Sequence, residues 1–223
     1  MKLRIILVGI FILMRPLFGF EIEALPKDSS LPTVFGTNCL QMTNSQQILE
    51  TYIMIGLKSN FDNPKKNLSR AIPRYDSRIH QISDYFQSRL KDENAKKAFD
   101  EAIDIWNQSK AILEKTPTKQ GAVTLKKNFR VMIKKLLVGS KPLADEGLEL
   151  LSLTGKLCRA PLEISIDYLM KIWKIDMPDY DTDVQGIIAG FKKHLAELSQ
   201  NKLNNDESRK LLKKSENGFK YFE

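Results

Sequence analysis

Apolar positions recur along this chain at steps of three and four, and the two-residue alternation that marks a half-buried strand is nearly absent. From about Phe35 to Lys58 the apolar stripe carries Ile48, Leu49, Tyr52, Ile55 and Gly56, and Asn60-Phe61-Asp62-Asn63-Pro64 then supplies turn residues. From about Lys65 to Lys91 the stripe is Leu68, Ile72, Tyr75, Ile79, Ile82 and Phe86. From about Asn94 to Lys115 it is Ala95, Phe99, Ala102, Ile103 and Trp106, and Thr116-Pro117-Thr118 stops it. A fourth helical region starts near Lys119 and meets breaks at Gly139 and Pro142. Beyond it lie a long segment from Asp145 to Lys174 and two shorter ones, about Thr182 to Gln200 and Asp206 to Tyr221. Pro73 and Pro161 fall inside helical patterns and predict kinks, because proline removes an amide donor and crowds the preceding turn. The expected class is all-α, an antiparallel helical bundle.

The N-terminus reads differently. Met1-Lys2-Leu3-Arg4 is followed by an apolar run from Ile5 to Met14 and then Arg15-Pro16-Leu17-Phe18-Gly19-Phe20. A basic start, a short apolar run and a breaker followed by a small residue are the layout of a secretory signal peptide. The run is about half of what a spanning helix needs. Residues 1–20 are therefore expected to be a signal peptide cleaved near Gly19 or Phe20, with an uncleaved anchor as the other reading. Residues 21–34, with Pro26 and Pro32, form a linker.

Composition is that of an ordinary folded protein, 42% hydrophobic and 28% charged over 223 residues. Of the net charge of +8, three charges (Lys2, Arg4, Arg15) would leave with the signal segment. Much of the remaining excess lies in one acid-free stretch containing Lys126, Lys127, Arg130, Lys134, Lys135 and Lys141. Leu125, Phe129, Met132, Ile133, Leu136 and Leu137 interleave with it at helical spacing. The stretch is a basic amphipathic helix, presenting either a solvated outer face or a surface for an anionic membrane. Nucleic acid is not an expected partner, since no recognition motif accompanies the charge.

A constant offset of 116 residues relates two parts of the chain. It places Tyr52-Ile53-Met54 on Tyr168-Leu169-Met170, Ile72 on Ile188, Tyr75 on Phe191, Ile79 on Leu195, Ile82 on Leu198 and Ser83 on Ser199. It also places Ile103 on Phe219 and Trp106 on Phe222. One offset matching apolar positions across three helices predicts a duplication. Residues 35–144 form the first helical-bundle repeat and 145–223 a second, truncated repeat without its own fourth helix. Its apolar faces must then pack on the first copy or on a partner chain.

The segment Cys39-Leu40-Gln41-Met42-Thr43-Asn44-Ser45-Gln46-Gln47, followed by Tyr52-Ile53-Met54-Ile55-Gly56-Leu57, resembles the first helix of the PilJ-type N-terminal domain of type IV pili methyl-accepting chemotaxis transducers. That domain is similar to the sensory domain of NarX-type nitrate and nitrite sensors. Gln41, Ser45, Gln46, Tyr52, Ile55, Gly56 and Leu57 carry the match, with a second echo at Leu153-Thr154-Gly155-Lys156-Leu157. Trp106, Pro117 and the Leu125 to Leu137 helix resemble the family's third and fourth helices. The resemblance implies a periplasmic sensory bundle. The family's anion-contacting arginine is replaced by Met42 in the first copy and Cys158 in the second, with Arg159 one residue on. A step of one residue turns a helical side chain by about 100°, so Arg159 does not simply take that arginine's place.

Asn38, Gln41 and Ser45 extend the stripe of Ile48, Tyr52 and Ile55 with polar groups, which need partners if buried. They serve either as hydrogen-bonding residues at the bundle end or, with Arg159, as a site for a small polar or anionic solute. Cys39 and Cys158, the only cysteines, lie one helical turn apart in repeat coordinates and are expected to form a disulfide or to remain free thiols. His80 and His194 lack metal-ligand spacing, and no haem, zinc, phosphate-loop or nucleophile motif is present, so neither a cofactor nor an enzyme activity is expected. Trp106 and Trp173 sit on apolar stripes as packing residues. Two functions follow. One is a solute-sensing bundle that relays binding to a membrane-bound receptor. The other is a structural or interaction scaffold without a small ligand, whose expected partner is another subunit in a homo-oligomer.

Overall fold

The computed structural model describes residues 25–222 apart from Lys27 and Leu203, and the backbone but not the side chain of Glu146. The expected export segment, 1–20, and the start of the linker lie outside these residues. Seven α-helices, with no strand, make up the described part: α1 Leu31–Gly56, α2 Pro64–Gln87, α3 Glu93–Leu113, α4 Lys119–Ser140, α5 Glu146–Ile172, α6 Tyr180–Ser199 and α7 Asp206–Phe219. Short 3₁₀ turns follow α4 at Lys141–Leu143 and α7 at Lys220–Phe222.

Local chemistry sets most of these boundaries. The first helix begins within the segment expected to be a linker, because Ser30 caps it and Pro32 sits in its first turn, where a proline costs no hydrogen bond. Asp92, Thr118 and Asp145 accept hydrogen bonds from the first free amides of α3, α4 and α5. Asn205 and Ser208 close a reciprocal capping box on α7. Between α1 and α2 the chain reverses through Lys58, Asp62 and Asn63, all at positive φ. Pro73 and Pro161 lie inside continuous helices.

The first four helices form a ring in which α1 packs on α2 and α4, and α3 on α2 and α4. Consecutive helices run in opposite senses. Phe35 meets Phe86 and Gln41 reaches Tyr75 across α1 and α2, while Asp76 pairs with Trp106 and Phe86 with Phe99 across α2 and α3. The core holds Tyr52, Tyr75, Phe86, Phe99, Trp106, Phe129 and Met132, each at most 2% exposed. Tyr75 and Trp106 stack with centroids 4.2 Å apart, and the Trp106 indole donates to Asp76 Oδ1 at 2.7 Å.

The long fifth helix lies against the outer side of α1 and runs parallel to it. Cys39 faces Gly155, Met42 meets Arg159, Glu50 meets Ser165 and Gly56 faces Trp173. A Cβ on Gly56 would stand inside the Trp173 ring, so this glycine is what lets the indole close against α1. Because α1 is covered by α2, α4 and α5, its buried surface extends around most of the helix. Helix α6 packs on α5, and α7 on α6. A second core joins them through Leu157, Ala160, Ile164, Ile188, Phe191, Leu195, Leu198 and Phe219, with the Phe191 and Phe219 rings stacked.

Candidate ligand site between α1 and α5

Four side chains were singled out for ligand contact, and the fold buries all of them: Asn38 and Ser45 at 0% exposure, Gln41 at 2% and Arg159 at 5%. They do not form one cluster. Gln41 turns toward α2, donating from Nε2 to the Tyr75 carbonyl at 3.2 Å and accepting from Asn44 at 3.0 Å. The Ser45 hydroxyl donates to the Met42 carbonyl at 2.8 Å. Both are thus satisfied within the bundle. Asn38 is different, since neither its amide nitrogen nor its carbonyl oxygen has a hydrogen-bond partner among the described residues. A fully buried amide left this way costs on the order of 1–3 kcal/mol.

Arg159 enters from α5. Its Nη1 donates to Met42 Sδ at 3.7 Å, a weak, soft acceptor, and no carboxylate of the described residues lies within ion-pair distance of the guanidinium. Burial works against its charge; the strongest counterweight is Glu163, one turn along α5. The Glu163 carboxyl is itself held above the usual range by burial, which outweighs the pull of Arg159 and Arg130. Asn38 lies one turn before Met42 on α1, and Met42 is the residue to which the guanidinium donates. A planar oxyanion would supply the acceptors that the guanidinium lacks, as it takes two parallel N–H bonds from it.

The disulfide expected between Cys39 and Cys158 is not formed; both are free thiols. Cys39 is buried with its Cβ 3.2 Å from the position a Cβ of Gly155 would take, whereas Cys158 is exposed. The residue across from Cys39 is therefore its counterpart at an offset of 116, and Cys158, three positions later, has turned toward solvent. Burial pushes the Cys39 thiol up to about 11, against the pull of Arg159.

Further along α5 the interface gathers charges that the sequence pattern does not single out. Glu50 of α1 is 3% exposed and accepts from Ser165 Oγ at 2.6 Å; burial raises its pKa despite that bond. Asp167 is fully buried, with Lys126 Nζ of α4 2.6 Å from its Oδ1. At that distance the ammonium and the carboxylate form a close ion pair. Burial raises the Asp167 pKa more than Lys126 lowers it. Lys126 and Arg130 also reach Asp183 of α6, at 3.4 and 3.0 Å. Two cations of the basic stretch thus tie α4 to the α5–α6 pair, and only the rest of that stretch forms an outer face. The histidines stay apart, with His80 exposed and its Nδ1 2.7 Å from the Asp76 carbonyl, and His194 on α6. A depression of about 420 Å³ lies elsewhere, at the α1–α2 turn between Lys58, Asn63 and Lys65.

No protein-family model matches this chain, and neither does any curated protein or solved structure.

Proposed function

We propose that this is an exported, periplasmic PilJ/NarX-like helical bundle that binds a small anionic or polar solute where α5 crosses α1, and that it relays binding to a membrane partner. The observation that carries the reading is Arg159: a buried guanidinium whose one hydrogen bond among the described residues goes to a sulfur. The register of α1 on α5 supports the two-repeat origin. Contacts join residues 115 to 117 positions apart, which brackets the offset that superposes the two halves of the sequence. In such an arrangement the leading helices of two copies meet as symmetry mates within one chain.

Binding would favour whichever α1–α5 spacing lets Arg159 grip the solute, and only that difference in affinity could move the helices. A thermal-shift panel of nitrate, sulfate and small carboxylates on the chain beginning at Glu21 tests this. A ligand at a hundredfold its Kd would add about 2.7 kcal/mol. No shift from any of them at millimolar concentration would sink the reading.

The scaffold alternative draws on α7 and the 3₁₀ turn after it, where Phe219 is the one buried residue of the helix and Leu211 and Tyr221 stand 58% and 86% exposed. Apolar groups left out this way suit another subunit. Sedimentation separates the two, since a ligand-independent oligomer favours the scaffold and a monomer that responds to an oxyanion favours the receptor.

A further inference from the structure

The side of α4 that faces away from both cores has a regular composition. Val123, Lys127, Val131, Lys134 and Val138, and Lys141 at the start of the 3₁₀ turn that continues the helix, are all exposed, the valines at 39%, 36% and 54%. At about 100° per residue they fall within an arc of about 80°, and at 1.5 Å per residue they extend over about 27 Å. Apolar and cationic side chains therefore alternate along one straight stripe. The helix contains no acid and no proline. The acids that flank it are engaged elsewhere, Glu101 with Lys135, and Asp183 with Lys126 and Arg130. Lys127, Lys134 and Lys141 have no ion pair among the described residues.

We propose that this stripe docks the protein onto a membrane surface rich in anionic phospholipid. The charge is of the complementary sign, and three lysines of the stripe have no acid against them among the described residues. The interleaved valines select lipid over a nucleic-acid phosphate backbone. Lysine stems can lie along an apolar layer while their ammonium groups reach headgroup phosphates, which leaves the valines between them at headgroup depth. A phosphate backbone offers those valines nothing. Valine is smaller than the tryptophan, phenylalanine and leucine that drive deep insertion, so attachment is electrostatic first and weakens as salt rises. Such docking holds the α1–α5 contact near the bilayer whether or not a solute binds there, and so it stands independently of the reading above.

The test uses the chain beginning at Glu21, which omits the apolar Ile5–Met14 run that would bind a bilayer by itself; both described cores lie within the retained part. Flotation with vesicles of phosphatidylcholine alone is compared with an equal mixture of phosphatidylcholine and phosphatidylglycerol. Binding is expected to the mixture only. Each lysine near an anionic surface is worth about fivefold in partitioning, so K127Q/K134Q/K141Q should lower it about a hundredfold. V131S/V138S should lower it several-fold. K210Q/K213Q/K214Q on exposed positions of α7 removes the same charge and should leave binding intact. Circular dichroism checks the fold of each variant, and K134Q alone serves if the triple variant melts early. Equal binding to neutral vesicles, no binding to either, or an equal loss in the α7 variant would each overturn the proposal. So would competition by duplex DNA at matched phosphate combined with unaffected valine variants, which would make the stripe a general polyanion surface.

Discussion

Replacing Arg159 by methionine separates the cost of a buried charge from its use. The guanidinium is 5% exposed, donates to a sulfur and has Glu163, which forms no ion pair with it, as its strongest opposing charge. Methionine is shorter but unbranched, flexible and apolar, suits the thioether of Met42, and carries no charge to desolvate. Exchanging a buried ionic group for an apolar one of similar volume commonly gains 1–4 kcal/mol, and about 1–3 kcal/mol is expected here. For a chain of this size each kcal/mol moves Tm by about 2–4 °C. Arg159→Met should therefore melt several degrees higher than the parent while losing any stabilisation by oxyanions. Arg159→Lys, which keeps the charge but not the fork, should lose most of the response without that gain. The assay is thermal unfolding with and without each anion. A lower Tm for Arg159→Met would refute the argument, because it would mean that the guanidinium is already paid back by Glu163 and is a structural group rather than a waiting ligand contact.

Four further outcomes follow. Burial opposes ionisation of Asp76, but its hydrogen bonds from Trp106 and Lys110 win and hold its carboxyl below the ordinary range, so its contribution is present above the unfolded pKa and lost as pH falls through the lower, folded one. Asp76→Asn should cost about 1.5–3 kcal/mol near neutrality, and urea titrations should show the gap closing in strong acid. Glu50 has the opposite sign: its raised pKa makes the folded state least favoured above that pKa, so Glu50→Gln should stabilise by about 1 kcal/mol at neutral pH, with the gain vanishing below the unfolded carboxylate range. Gly56→Ala should cost about 1–3 kcal/mol through forced movement of Trp173; an unchanged urea midpoint would show that the indole does not depend on this glycine. Phe219→Ala should remove hydrogen-exchange protection from α7 while leaving α1 to α4 protected, since Phe219 is the one buried residue of that helix.

The helix register was legible because it is local information. Stripes such as Leu68, Tyr75, Ile79, Ile82 and Phe86 name their own buried face, and turn residues with Pro64, Pro117 and Pro142 mark where helices stop. The start of α1 was misplaced by reading Pro32 as a breaker, although a proline in the first turn begins a helix as readily as it ends one. What periodicity does not contain is the identity of the neighbour. Asn38, Gln41 and Ser45 share a stripe, yet two of them are satisfied by α2 and by their own helix while the third is orphaned. Glu50, Glu163 and Asp167 read as ordinary helical acids until α5 is laid on α1 and α4. Cys158 failed as a disulfide partner for the same reason, as one turn of separation in repeat coordinates also rotates the side chain off the contact line.

The in-register pairing of α1 with α5 bears on how any response would depend on concentration. Helices on separate chains meet only as often as dilution allows, and a site between them disappears with the dimer. Here roughly ninety residues of α2, α3, α4 and their turns join the two helices into one polypeptide, so their encounter is intramolecular and set by an effective molarity rather than by abundance. A few copies per cell would hold the interface as fully formed as thousands would.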